Sequence, residues 1–355
     1  MPKALALPVP PPPVQAVVLR TVFALPRSLK RAIAGQPVRV DGQQLALDAQ
    51  LLLGLQKMTG QTQLAAPDHE QARAAMSTSS RIVRKTTVRG VEVTDREIPS
   101  GGSRLPARLY RPDEVTGPSG LMVFYHGGGW VLGDLDSHDD LCRFLAKRAG
   151  VRVLSVDYRL APEHPFPAAV DDALAAYEYA LEHASELGTT RDAVAVGGDS
   201  AGGNLAAVVA HEQTREGNRP LFQLLLYPAA DATKRRRSRE LFGDGFLLAD
   251  SDMDWFLDHY HPSTTDRDDP RLSVLLAEDL SGLPPAHVVT GGFDPLRDEG
   301  EALAARLEES GVPVITRRYS DLVHGFASLR QASTRFHEAL SEIAGTVRAG
   351  MALGR

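Results

Sequence analysis

From about residue 88 onward, short apolar runs alternate with stretches of helical periodicity. Residues 91–98 and 105–110 alternate or run apolar at strand length. Further strand candidates are 121–125, 151–158, 193–197, 222–227, 287–290 and 314–319. Helical patterns fill the gaps at 141–149, 168–183, 205–213 and 299–310. Continuous apolar strands alternating with helices predict an α/β fold with a mostly parallel central sheet covered by helices on both faces. The leading pair of strands is compatible with an antiparallel arrangement.

Two regions fall outside that rhythm. Residues 1–80 show loops and helical periodicity, at 14–25, 45–58 and 69–76, with no strand alternation. At 231–280 the alternation is interrupted by a basic run, Lys234 to Arg237, and then by Phe242, Phe246, Leu247, Trp255 and Phe256. This divides the chain into three parts: an N-terminal helical segment over 1–80, a strand–helix domain over 81–230 and 281–355, and an insertion over 231–280 that looks like part of a cap. The basic run reads as a solvated loop. Residues 14–25 have the spacing of an amphipathic helix packed on its own protein. A contact with a membrane surface, helped by Arg27, Lys30 and Arg31, is the competing reading.

Composition narrows the classes. The 355 residues carry a formal net charge of −6, which argues against a nucleic-acid partner. The single cysteine, Cys142, excludes an internal disulfide and fits a reducing compartment as a buried small apolar residue. The N-terminal proline run lacks the apolar core of a secretory signal, and 14–25 is too short to span a bilayer, so a cytoplasmic location is expected. The oligomeric state stays open, a homodimer included.

Two glycine-rich motifs carry the candidate chemistry. Gly198-Asp199-Ser200-Ala201-Gly202 follows a strand and precedes a helix. A serine on such a sharp turn stands clear of the sheet, and the strained backbone leaves no room for flanking side chains. His126-Gly127-Gly128-Gly129-Trp130 follows another strand; consecutive glycines let amides turn inward toward a developing oxyanion. A dinucleotide-binding loop is disfavoured there, because Leu132 occupies the place of the last glycine in that fingerprint.

A serine hydroxyl needs a base, and the base an orienting acid; in this strand–helix architecture the chain order is Ser, Asp or Glu, His. Asp294 lies just past the strand ending near Thr290, nearer the strand end than Asp298 and Glu299, which suit a helix N-terminus. His324 follows the next strand, whereas His337 sits in a helical stretch. The acidic run Asp134, Asp136, His138, Asp139 and Asp140 reads as capping the next helix rather than binding a metal. No metal or organic cofactor is expected.

Five pieces in order now match a family: His126-Gly127-Gly128-Gly129-Trp130, Tyr158-Arg159-Leu160-Ala161-Pro162-Glu163, Gly198-Asp199-Ser200-Ala201-Gly202-Gly203-Asn204, Asp294-Pro295-Leu296-Arg297-Asp298-Glu299 and His324-Gly325-Phe326. Over roughly residues 85–345 the chain resembles the hormone-sensitive-lipase-like branch of the α/β hydrolases, also called bacterial esterase family IV; Asp199 marks its larger motif subgroup. The resemblance implies the α/β-hydrolase fold, a Ser200 nucleophile, a His324 general base oriented by Asp294, and an oxyanion hole of the Gly128, Gly129 and Ala201 amides. It implies a catalytic domain over 81–230 and 281–355, a cap to which the N-terminal helical segment 1–80 and the insertion 231–280 contribute, and a small-molecule ester of short to medium acyl chain as substrate. Trp130, Phe242, Phe246, Trp255 and Phe256 are candidate walls of the acyl pocket; the last four serve equally well as cap core. A non-catalytic receptor on the same fold and an amide or thioester hydrolase are the alternatives; related receptors lack the histidine that His324 supplies.

Overall fold

The structure is a computed structural model that describes residues 11–60, 63–261 and 266–352. The first ten residues, which hold the start of the proline run, and residues 262–265 of the expected insertion lie outside the described residues. The chain begins with four helices, α1 (Pro12–Ala24), α2 (Arg27–Ala34), α3 (Leu47–Thr59) and α4 (His69–Val83), interrupted by a small hairpin of β1 (Arg39–Val40) and β2 (Gln43–Gln44). Pro12 and Pro13 stand at the start of α1, where a missing amide proton costs nothing.

The main sheet follows. Its elements in chain order are β3 (Val91–Ser100), β4 (Ser103–Pro112), β5 (Leu121–Tyr125), α5 (Asp139–Ala149), β6 (Arg152–Val156), α6 (Ala168–Glu182), β7 (Val194–Asp199), α7 (Ala201–Arg215) and β8 (Gln223–Leu226). Then come α8 (Arg237–Phe242) and α9 (Asp250–Tyr260), and the sheet resumes with β9 (Ala286–Phe293), α10 (Arg297–Glu309), β10 (Val314–Val323) and α11 (Thr334–Gly350). The eight strands are ordered β10-β9-β8-β7-β5-β6-β4-β3. Pairings from β10 through β6 are parallel, and β4 is antiparallel to both β6 and β3.

Strand β5 shows why the pattern reads as buried on both sides. Leu121, Val123 and Tyr125 pack into one core with α6 and α7, while Met122 and Phe124 face the other with α5 and α11. All five are fully buried. Each such side chain contributes roughly 1.5–3 kcal/mol of transfer free energy, which makes the centre of the sheet a rigid platform. Catalytic candidates sit where these strands end.

Several elements run past their sequence-based limits. Helix α4 continues to Val83 through Ser77-Thr78-Ser79-Ser80, because packing beneath it overrides the low helix propensity of those residues. Strands β9 and β10 extend to Phe293 and Val323, so the next residues are Asp294 and His324. Periodicity missed α2, α8, α9 and, within 1–80 where no strand alternation shows, the small hairpin of β1 and β2; on α2 the exposed face carries Leu29 and Ile33, which hides the usual polar signature. No helix among the described residues is long and apolar enough to cross a membrane.

Candidate active site

Ser200 occupies the turn between β7 and α7 with φ 57° and ψ −119°, a conformation that costs an ordinary residue about 1–3 kcal/mol. Two neighbours explain why the turn tolerates only glycine beside it. A Cβ on Gly198 would lie 2.1 Å from the Gly202 carbonyl oxygen, and one on Gly202 would lie 1.9 Å from that of Tyr125. Main-chain bonds fix the strained residue in place: its amide donates to Leu226 at 2.8 Å, and its carbonyl accepts from Asn204 at 3.0 Å and Ala229 at 3.3 Å.

The Ser200 hydroxyl lies 2.9 Å from Nε2 of His324, and Nδ1 of His324 lies 2.9 Å from Oδ2 of Asp294. A carboxylate facing Nδ1 fixes the proton there and leaves Nε2 as acceptor toward the hydroxyl. Asp294 is fully buried, and its other oxygen accepts the Leu296 amide at 2.8 Å, so the carboxylate is held on both sides. Asp298 and Glu299 are engaged elsewhere, accepting the amides of Ser238 and Ala230 at 2.8 Å each. His337 packs edge-on against Phe144, away from this centre.

The glycine loop after β5 is built from both ends. His126 is buried, stacks on Tyr158 with ring centroids 4.3 Å apart, and its Nδ1 donates to the Gly127 carbonyl at 2.9 Å. Burial, and then the neighbouring His138, lower its pKa to about 4, so it is a neutral support rather than a base. Gly128 and Gly129 have φ of 127° and 62°. Their amides and that of Ala201 donate to no acceptor among the described residues. The cavity containing Ser200 is lined by all three residues.

Asp199, beside Ser200, was legible only as a motif letter. Its buried Oδ1 accepts the Gly127 amide at 2.9 Å and lies 3.3 Å from Nε2 of His138. Burial alone raises its pKa, but His138 and the Gly127 amide more than offset this, and the carboxyl is held below its ordinary value. Ser137 Oγ lies 3.0 Å from the other nitrogen of His138. The acidic run around His138 is otherwise spent on ion pairs: Asp136 with Arg108, Asp139 with Arg143, and Asp140 with Arg330. Among the described residues no cluster of three or more His, Cys, Asp or Glu side chains is arranged to hold a metal ion.

A cavity of about 630 Å³ opens over Ser200 and His324. Its floor is the sheet rim, and its far wall comes from α1, α3 and α4, with Leu19, Leu52, Leu55, Met76, Ile82 and Val83. Trp130 and Phe256 lie on the wall, and the Phe256 ring closes over Gly129 so tightly that a Cβ there would sit 2.2 Å from it. Trp130 is held by stacking on Tyr260 at 4.5 Å.

Phe242, Phe246 and Trp255, named as pocket candidates from the sequence, do not line this cavity. Phe242 is fully buried, with Phe246 and Phe293 within 5.6 Å and the Arg297 guanidinium over its ring. Trp255 packs on His259 at 4.2 Å. Trp255 and Phe256 are neighbours on one helix, about 100° apart around its axis, so one meets the cavity while the other turns away, and apolar character alone does not say which.

Sequence reasoning also passed over Arg73 and Glu299. Arg73, on α4, donates to the carbonyls of Val131 at 2.8 Å and Ala161 at 2.9 Å, and its two terminal nitrogens meet Glu163 at 2.7 Å each. It ties the N-terminal helices to the glycine loop. Glu299 lies buried in the cavity wall; burial pushes its pKa up to about 8, partly countered by the Ala230 and Asp231 amides. Its place at a helix start suggested a dipole partner and gave no sign of a desolvated acid.

The comparisons with known proteins agree on one neighbourhood. The sequence family described as alpha/beta hydrolase fold matches residues 122–328. Carboxylic ester hydrolase LipN of Mycobacterium tuberculosis is 48% identical over 334 residues, spanning 92% of this chain and 88% of its own. Ethyl acetate hydrolase of Pseudomonas putida is 43% identical over 229 residues, spanning 63% and 72%. Among solved structures, a thermostable esterase from Pseudomonas putida superposes with a TM-score of 0.83 at 35% identity, covering 88% of this chain and 99% of that one. An ester-hydrolase from the metagenome of Lake Arreo gives 0.82 at 39%, covering 86% and 98%.

Proposed function

The chain belongs to the α/β-hydrolase family, in its hormone-sensitive-lipase-like branch, and we propose that it hydrolyses carboxylic esters by acyl transfer through Ser200. The observation that carries this reading is the unbroken line Ser200 Oγ, His324 Nε2, His324 Nδ1 and Asp294 Oδ2, with both steps at 2.9 Å.

In the first step Ser200 attacks the ester carbonyl carbon while His324 takes the hydroxyl proton. The carbonyl oxygen becomes an oxyanion facing the unpartnered amides of Gly128, Gly129 and Ala201. The His324 imidazolium, steadied by Asp294, returns the proton to the departing alcohol. Water then attacks the acyl-serine with the same base, releasing the acid and restoring the hydroxyl. All the proton transfers run through side chains already in contact.

We assign a small-molecule ester of short to medium acyl chain as substrate. The apolar wall over Ser200 and the ester-hydrolysing relatives support this class. The test is hydrolysis of p-nitrophenyl butyrate by wild type and Ser200→Ala, followed by esters of about two to about sixteen acyl carbons with an anilide control. Removing the nucleophile lowers kcat by several orders of magnitude; a variant as active as wild type rejects the assignment.

A further inference from the structure

Six of the seven large apolar side chains that stand exposed among the described residues fall within residues 14–58: Val14, Val17, Val18, Leu29, Ile33 and Met58. Their placement is helical. Val14, Val17 and Val18 share the outer face of α1, while Leu19 and Phe23 bury the opposite face. Leu29 and Ile33 stand one turn apart on α2, each more than half exposed. Surface helices ordinarily turn charge outward and apolar residues inward, so this outer face is inverted.

The segment that carries it has charge of one sign. Residues 11–40 contain Arg20, Arg27, Lys30, Arg31 and Arg39 and no aspartate or glutamate, in a chain whose net charge is −6. Lys30 and Arg31 are partly buried behind the apolar face, with Lys30 over the Phe23 ring and paired with Asp48. Lys85 lies in the same field: burial first, and then Arg20 and Lys30, lower its pKa. A face of valine, leucine and isoleucine backed by cations complements an interface that is apolar beneath an anionic surface.

The face is also continuous with the catalytic cavity. Gln15 and Val18 of α1 line the cavity that contains Ser200 and His324, and Val18 is 42% exposed, so it belongs at once to the wall and to the surface. An acyl chain leaving a lipid layer at this point enters the space over Ser200 without crossing bulk water.

We infer that the outer face of α1 and α2 docks on an anionic lipid surface and that the enzyme draws acyl esters from that surface through the opening beside Val18. The source of the ester rests on the hydrolytic reading above; the docking itself does not.

The experiment is co-sedimentation of the full chain with phosphatidylcholine vesicles, with and without about 30% phosphatidylglycerol, alongside hydrolysis of dissolved p-nitrophenyl butyrate. Wild type is expected to pellet with the anionic vesicles and to be released as salt rises to about 0.5 M. The quadruple variant Val14→Ser, Val17→Ser, Leu29→Ser, Ile33→Ser touches no cavity residue. It should bind these vesicles at least about fivefold more weakly and keep its rate on the dissolved ester. Wild type that stays in the supernatant with anionic vesicles overturns the docking, as does a variant that pellets equally. A variant inactive on the dissolved ester has lost its fold, and the salt series on wild type then decides: binding indifferent to salt and to phosphatidylglycerol overturns the proposal. Wild type that pellets but never hydrolyses any ester leaves the docking standing and refutes the hydrolytic reading instead.

Discussion

The carboxylate of Asp199 accepts the amide of Gly127 at 2.9 Å, which locks the turn that carries Ser200 to the loop that carries Gly128 and Gly129, two of the proposed oxyanion donors. The proposed nucleophile and two of its three proposed oxyanion donors, Gly128 and Gly129, follow separate strands, β7 and β5. Without a buried bond between them, their relative position would depend on strand pairing alone. Replacement of Asp199 should therefore act on kcat more than on KM. Asp199→Asn keeps an acceptor for the Gly127 amide and should stay within about tenfold of wild type; Asp199→Ala leaves that buried amide unpaired and should cost about 10–100-fold in kcat. Steady-state kinetics on p-nitrophenyl butyrate separate the two.

Asp294→Asn should lower kcat by roughly 10⁴. An amide facing His324 favours the tautomer with its proton on Nε2, pointed at Ser200, where it cannot accept the hydroxyl proton. A fluorophosphonate probe gives the check, with labelling of Ser200 slowed in parallel and circular dichroism unchanged.

Gly202→Ala should disrupt the fold itself. The added Cβ meets the Tyr125 carbonyl at 1.9 Å, where the buried end of β5 packs against the first turn of α7 and neither backbone yields. A loss of about 3–5 kcal/mol is expected, read as a fall in the denaturant midpoint or as insoluble protein. Gly129→Ala meets instead the ring of Phe256, on a short insertion helix. That change should spare stability more and reduce activity.

Glu299 sets a pH dependence of stability. Its pKa is about 8 in the fold, against 4.5 for an ordinary glutamate. The folded state thus holds a proton that the unfolded chain has released between those values. The stabilising contribution is whole below about pH 4.5 and is lost as pH rises through about 8. Glu299→Gln, which keeps an oxygen for the Ala230 amide, should match wild type near pH 4.5 and melt higher than it near pH 9. Identical melting curves across that range would place the Glu299 proton elsewhere.

How far the sequence led is clearest in these same residues. The alignment of Ser200, His324 and Asp294 was legible because each lies a few residues past an apolar run, and the end of a parallel strand is a place that local pattern can name. Gly198 and Gly202 were legible because only a steric demand explains glycine on both sides of one serine. Asp199 was visible and its partner was not: the bond to Gly127 joins positions 72 apart and depends on β5 and β7 being neighbours, which no local window encodes. Glu299 was misjudged for a related reason, since helix starts favour acids whether they face water or a sealed wall. The aromatic residues of the insertion divided between wall and core on the orientation of two short helices, which hydrophobicity does not report.

Arg73 gives the last consequence. One guanidinium on α4 spans two backbone carbonyls of the catalytic loops and a carboxylate. Lifting that helix would strip every one of these acceptors together, so this part of the enclosure behaves as a fixed gauge rather than a hinged cover. Under the proposed hydrolysis, the acyl group would meet a wall held in place at this helix rather than a yielding roof.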